Sequence, residues 1–116
     1  MKRTQLIEYI AAQYGAAPDY PWQKHPDYAV FRHPNHKWFC ALLRVPGSKL
    51  GLADGANVDI VNLKVPPELI GALRSMPGIF PGWHMNKEHW ISVLLDGGQN
   101  DATIFSLLAD SYALSR

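Results

Sequence analysis

The chain has 116 residues, of which 47% are hydrophobic and 18% charged, with a formal net charge of +1. This excludes wholesale disorder and fits one packed domain spanning residues 1–116. No apolar run nears the ~20 residues that cross a bilayer, Glu8 and Gln13 break any apolar stretch after Met1-Lys2-Arg3-Thr4, and the single Cys40 excludes an internal disulfide, so a cytoplasmic protein without a membrane partner is expected.

Thr4 to Tyr14 reads as a helix: Leu6, Ile7, Ile10, Ala11 and Tyr14 fall on one stripe, Thr4 can cap the start and Gly15 suits the stop. Residues 16–27 carry Pro18, Pro21 and Pro26 and read as an irregular connection. Tyr28 to His33 and Lys37 to Val45 are strands around a Pro34-Asn35 turn, and Pro46 to Ala56 is a glycine-rich loop or hairpin tip. Asn57 to Val65 is a third strand whose apolar phase changes between Ile60 and Val61, which predicts a bulge or a switch of buried face there.

Pro66-Pro67 opens a second helix with Leu69, Ile70 and Leu73 inward, closed by Pro77-Gly78. Ile79 to Met85 is a broken strand and His89 to Asp96 a strong one. Asn100 or Asp101 caps a last helix whose Ile104, Leu107, Leu108 and Tyr112 face the core. The order α-β-β-β-α-β-β-α with short connections predicts an α+β fold. Its sheet is antiparallel, the three helices pack on one face, and the other face is open to solvent or a partner.

The charges are unevenly placed. No acidic residue lies between Asp27 and Asp54, where Arg32, Lys37, Arg44 and Lys49 are joined by His33 and His36. Such a hairpin could meet phosphate, or its cations could simply solvate an exposed surface. The densest polar and aromatic segment is Trp83-His84-Met85-Asn86-Lys87-Glu88-His89-Trp90. By strand alternation Ile91, Val93 and Leu95 face the helices while Trp90, Ser92 and Leu94 face the other way. Trp90 there could stack on a base or a protein, or pack on the sheet edge. Lys87 could neutralise a phosphate and Asn86 offer its amide, or Asn86 could serve the turn itself.

Chemistry beyond binding finds little in the pattern. The pairs His33/His36 and His84/His89 do not complete a zinc ligand set with Cys40, and no His-Glu-x-x-His is present. Cys40 sits mid-strand beside Phe39, Ala41 and Leu42, no serine lies in a nucleophile elbow, and the carboxylates are scattered singly. No metal, cofactor or catalytic set is expected.

His84-Met85-Asn86-Lys87-Glu88-His89-Trp90, Val93-Leu94-Leu95-Asp96-Gly97, Asp110-Ser111-Tyr112 and Val61-Asn62-Leu63-Lys64 with Pro67-Glu68-Leu69 together resemble the signature of the MmcQ/YjbR family of small bacterial proteins. The resemblance implies a CyaY-like (frataxin-like) fold. Members are commonly labelled DNA-binding, from two β-hairpin wings that the fold presents to a duplex. Frataxins hold iron on an acidic ridge that includes the first helix; with Glu8 alone on that helix here, iron is not expected.

Two functions follow as expectations. In the first, Arg32, Lys37, Arg44, Lys49, Lys64 and Lys87 contact DNA phosphates without sequence preference and Trp90 stacks or wedges. In the second, Trp83, His84, Asn86, His89 and Trp90 shape an aromatic and amide pocket for a protein or small ligand, between the open sheet face and the 16–27 loop. Cations sharing one continuous face favour the first; scattered cations favour the second.

Overall fold

The computed structural model describes residues 1–116. The chain runs through α1 (Arg3–Tyr14), β1 (Ala29–Arg32), β2 (Trp38–Pro46), a 3₁₀ turn (Gly47–Leu50) and β3 (Asn57–Lys64). A second 3₁₀ turn (Pro67–Leu69) then leads into α2 (Ile70–Arg74), β4 (Ile79–Pro81), β5 (Trp90–Leu94) and α3 (Asp101–Leu114). All strand pairs are antiparallel, in the order β1-β2-β3-β5-β4. The expected α+β architecture and element order are met.

The helix ends show where local chemistry decides. α1 starts at Arg3, because the Gln5 side chain accepts the Lys2 backbone N–H at 2.6 Å; Thr4 lies inside the helix and is not its cap. Gly15 closes it with a left-handed φ of 65°, as glycine readily does. Leu6 and Ile10 are fully buried, but Ala11 is exposed and leaves the expected stripe. At α3 the cap is Asn100, whose Oδ1 accepts the Thr103 N–H at 2.8 Å. The second helix is shorter than expected. Pro66 and Pro67 first impose a 3₁₀ turn, and Leu69 points out at 47% exposure while Ile70 and Leu73 pack on the core.

No bulge interrupts β3. Its register runs unbroken from Asn57 to Lys64 against its neighbours β2 and β5. The bulge lies instead in the β1–β2 pair, between Phe31 and Arg32. The phase change at Ile60-Val61 has another cause: both faces of β3 are buried. Val61 and Leu63 join a cluster of sixteen buried residues under the helices, which includes Leu6, Phe31, Phe39, Leu42 and Leu108. Ile60 joins a second cluster of six on the opposite face, with Val30, Ala41, Leu43, Val45 and Leu94.

The second face, expected to be open to solvent or a partner, is therefore covered. Trp38 of β2, Phe80 of β4, and Tyr28, Leu50, Leu52 and Trp83 from three loops pack over it. On the helix side, α3 is pinned by hydroxyls. Ser111 Oγ donates to the Phe39 carbonyl at 2.6 Å and accepts the Lys64 N–H at 2.8 Å, which ties the helix to β2 and β3 at once. The buried serine in Asp110-Ser111-Tyr112 thus satisfies two strand-end groups that a hydrophobic residue would leave orphaned.

Candidate functional site

The second face gathers Trp22, Trp38 and Trp83, and its centre is polar. Asn62 of β3 and Ser92 of β5 are register partners, both almost fully buried. Ser92 Oγ donates to Asn62 Oδ1, the Trp83 backbone N–H donates to Ser92 Oγ at 2.8 Å, and Asn62 Nδ2 donates to the Trp83 carbonyl at 2.9 Å. This closed triangle fixes the Trp83 backbone onto the sheet. A buried amide and hydroxyl in an otherwise apolar layer cost stability unless paired, and this pairing also sets the loop position.

The loop itself is built tightly. Gly82 passes so close to β5 that a Cβ there would stand 2.9 Å from Trp90 Cβ and from the Trp90 carbonyl oxygen. His84 follows with a left-handed φ of 56°, a conformation non-glycine residues rarely adopt. Asn86 then makes the turn: its Oδ1 accepts the Glu88 N–H at 2.9 Å and its carbonyl accepts the Trp90 N–H at 3.0 Å. Asn86 Oδ1 is thereby held inside the turn.

Over Ala41, Leu43 and Asn62 lies a cavity of about 330 Å³, walled by Trp22, His25, Tyr28 and Trp38 on one side and by Trp83, His84 and Met85 on the other. The rings stand across one another. Trp22 meets Trp38 at 5.6 Å and 87°, and Tyr28 at 6.1 Å and 83°. His25 stacks flat on Tyr28 at 4.4 Å and 9°, and His84 meets Trp83 at 4.5 Å and 73°. The small Ala41 in the floor leaves space between the rings. The volume falls in the lower part of the ~300–1,000 Å³ range of small-molecule sites.

On the other side of Trp83 and His84 is a second depression of about 420 Å³, lined also by Lys49, Leu50, Phe80, Pro81 and Lys87. The Trp83 Nε1 is shielded from solvent and has no acceptor in the protein. An orphaned donor of this kind costs about 1–3 kcal/mol.

The sequence-predicted cations are not brought together as one set. Arg32 pairs with Asp19 at 3.1 Å. Arg44 pairs with Asp59 at 3.0 Å and lies 4.0 Å from Asp27; the Asp59 hydrogen bond holds its pKa above the ordinary arginine value. Arg44 also stands opposite Asp59 in the β2–β3 register, on the helix-covered side with Val61 and Leu63. Lys37 Nζ approaches the Arg116 carbonyl at 3.4 Å. Lys64 is half-buried opposite Trp90. Only Lys49 and Lys87 share a depression.

Of the predicted pocket residues, Trp83 and His84 line the cavity, while Asn86, His89 and Trp90 do not. The His89 carbonyl accepts the Val65 N–H at 2.9 Å, and Trp90 stands half-buried on the second face beyond the cavity wall. Sequence reasoning placed the 16–27 loop at the pocket but missed Trp22, His25, Tyr28, Trp38, Asn62 and Met85. The available signals were three ring side chains, Trp22, His25 and Tyr28, within seven residues, and one amide in an apolar strand. Cys40 is fully buried under the helices, and burial pushes its thiol far above the ordinary range, so it stays protonated.

A helix-covered antiparallel sheet whose second face is roofed by aromatic loops defines a small α+β protein with a preformed pocket. The YjbR family model matches residues 11–114, and the chain belongs to the YjbR family. It is 41% identical over 117 aligned positions to the uncharacterised Bacillus subtilis protein YyaQ, covering 100% of this chain and 99% of that protein. The crystal structure of a Pseudomonas syringae protein matches with a TM-score of 0.98 at 51% identity, with 100% of both chains covered. A Deinococcus radiodurans protein shares the fold, with a TM-score of 0.71 at 23% identity over 98% of this chain and 78% of that one. No helix is long and apolar enough to cross a membrane.

Proposed function

We propose that this protein is a small-ligand-binding module that takes a flat apolar group into the aromatic cavity over Ala41, Leu43 and Asn62, without a catalytic step. The observation that carries this reading is the cavity itself, walled by near-perpendicular rings and floored by an alanine. The Asn62–Ser92–Trp83 triangle supports it, because it preorganises one wall at the cost of two buried polar side chains. Residues 1–116 are read as one such module.

Phosphate-backbone binding to DNA through Arg32, Lys37, Arg44, Lys49, Lys64 and Lys87, with Trp90 stacking, has weaker support. Arg32 and Arg44 are neutralised by Asp19 and Asp59, and Arg44 belongs to the helix-covered side. A duplex contact draws on cations that form a continuous surface, whereas Lys49 and Lys87 are the pair that share one depression.

The test is an NMR titration of the ¹⁵N-labelled protein with tryptophol, a neutral indole alcohol. At ~0.3 kcal/mol per heavy atom, about 12 atoms give a dissociation constant in the low millimolar range. The indole N–H signals of Trp22, Trp38 and Trp83 should shift saturably, with Trp90 moving least. Ala41→Leu, which fills the floor, should abolish those shifts. Shifts that stay linear to saturation of the probe, or that survive Ala41→Leu unchanged, would sink the proposal.

A further inference from the structure

We infer that the ligand is a planar aromatic molecule bearing an anionic group, with its ring in the aromatic cavity and its anion over Lys49 and Lys87. This rests on the pocket reading above and adds the chemistry of the occupant. The two depressions adjoin at Trp83 and His84, which line both. One is apolar and ring-walled; the other holds Lys49 and Lys87, one on the 3₁₀ turn after β2 and one on the turn before β5.

The electrostatics are one-sided. No aspartate or glutamate lines either depression. Lys49 and Lys87 take part in none of the five ion pairs, and both are exposed. The acidic residues nearest in sequence are otherwise placed: Glu88 follows Lys87 but lines neither depression, and Asp54 Oδ1 accepts the Ala56 N–H at 2.9 Å. Arg3, Arg32 and Arg44 meet carboxylates; Lys49 and Lys87, like the other lysines, do not, and these two stand beside the aromatic cavity.

An organic cation would also suit perpendicular rings, through the negative faces of their π-systems. The two lysines oppose it, and no carboxylate offsets them. A neutral ring would fill the cavity and leave the lysines unused. An anion joined to a ring uses both features with one molecule, and the joining atoms would cross the Trp83–His84 ridge. Within this chemistry the anion could be a carboxylate or a phosphate, as in an aromatic acid or a mononucleotide.

Three indole probes of similar size separate the possibilities: indole-3-acetate, tryptophol and tryptamine, titrated at low salt and again at about 0.5 M, where the Debye length has shrunk to a few ångströms. Exposed charge pairs are weak individually, so indole-3-acetate should bind about fivefold to tenfold more tightly than tryptophol, and tryptamine more weakly than either. High salt should bring the three together. The double variant Lys49→Ala/Lys87→Ala should remove the preference while leaving tryptophol binding intact, and Lys49→Glu/Lys87→Glu should reverse it.

Adenosine 5′-monophosphate as a fourth probe distinguishes the source: tighter binding than indole-3-acetate, lost in Ala41→Leu, points to a phosphate-bearing ring, and weaker binding to an aromatic carboxylic acid. Equal affinities for the acetate and the alcohol would overturn the inference and leave the pocket standing. Failure of all the probes would overturn the pocket reading itself. A short single-stranded oligonucleotide that binds through Lys49 and Lys87 but ignores Ala41→Leu would replace this proposal with simple backbone attraction.

Discussion

The two faces of one sheet are finished in different ways. Under the helices, sixteen buried residues pack around aliphatic stripes from α1 and α3, and the polar ends of the strands are met by Ser111. Over the second face six buried residues lie beneath loops, and the covering side chains are mainly rings set edge to face. Helices bring regular side chains that fill space to near-crystalline density. The loops that cover the second face stand apart over the small Ala41 and leave a recess. The same strands therefore carry a close-packed support on one side and a recess on the other, which is how a small domain combines stability with a place to bind.

The largest expected effect tests this asymmetry directly on β2, which gives Phe39, Cys40 and Leu42 to the helix side and Ala41, Leu43 and Val45 to the other. Phe39 is fully buried under the helices, with Tyr112 at 4.9 Å, His33 at 5.2 Å and Tyr14 at 5.6 Å. Phe39→Ala should cost about 3–5 kcal/mol, as aromatic truncations in tight cores do. Leu43→Ala borders the existing cavity, removes fewer contacts, and should sit near the low end of the ~2–5 kcal/mol range. Urea denaturation of both variants gives the comparison. Equal losses would mean that the second face is as tightly packed as the first.

A smaller effect is expected where the roof is fastened. Asn62→Leu keeps the volume but leaves the Ser92 hydroxyl without its acceptor and the Trp83 carbonyl without its donor. The cost should be about 1–3 kcal/mol. Hydrogen exchange should quicken in residues 82–89 and remain slow in α1 and α3. Uniform acceleration across the molecule would show that the triangle holds the whole fold rather than the loop.

Regular elements were legible from residue pattern because their signals are local. The alternation of β5 correctly places Ser92 and Leu94 opposite Ile91 and Val93, and Gly15 ends α1 where expected. What failed depends on residues far apart in the chain. The phase change in β3 reads as a bulge or a switch of buried face because its sequence does not say that the 47–56 and 82–89 loops fold back over Ile60. The basic hairpin looked free of acids because its window runs between Asp27 and Asp54, while the carboxylates that meet it are Asp19, Asp27 and Asp59. The Trp83–Trp90 segment marked the site, yet only its first three residues line the cavity. Asn86 makes the turn and Trp90 opens the interior strand β5 opposite Lys64, and the opposite wall comes from Trp22, His25, Tyr28 and Trp38.

The smallest effect expected is acid-dependent and belongs to the helix-covered side alone. His33 is buried, and its Nε2 lies 2.9 Å from Ser115 Oγ. The only hydroxyl proton of Ser115 goes to the Ser111 carbonyl at 2.7 Å, so His33 Nε2 carries the proton and Ser115 accepts it. Burial lowers the His33 pKa first and the Arg116 charge second, with Lys37 adding to them and a hydrogen bond to the Tyr112 backbone pulling the other way. The folded state thus holds neutral imidazole below the pH at which the unfolded chain takes up a proton. This contribution to stability is full above the unfolded value of ~6.5, falls as pH drops through it, and is gone below the lower folded value. As the pH falls through ~6.5 the wild type should therefore lose stability relative to His33→Gln. Exchange should rise with acid in residues 110–116 and not in residues 82–89, because the histidine reaches α3 through Ser115 and has no bond to the roof. Parallel pH profiles for wild type and variant would remove His33 from the account, and acid-driven exchange in the roof would show that the two faces do not respond separately.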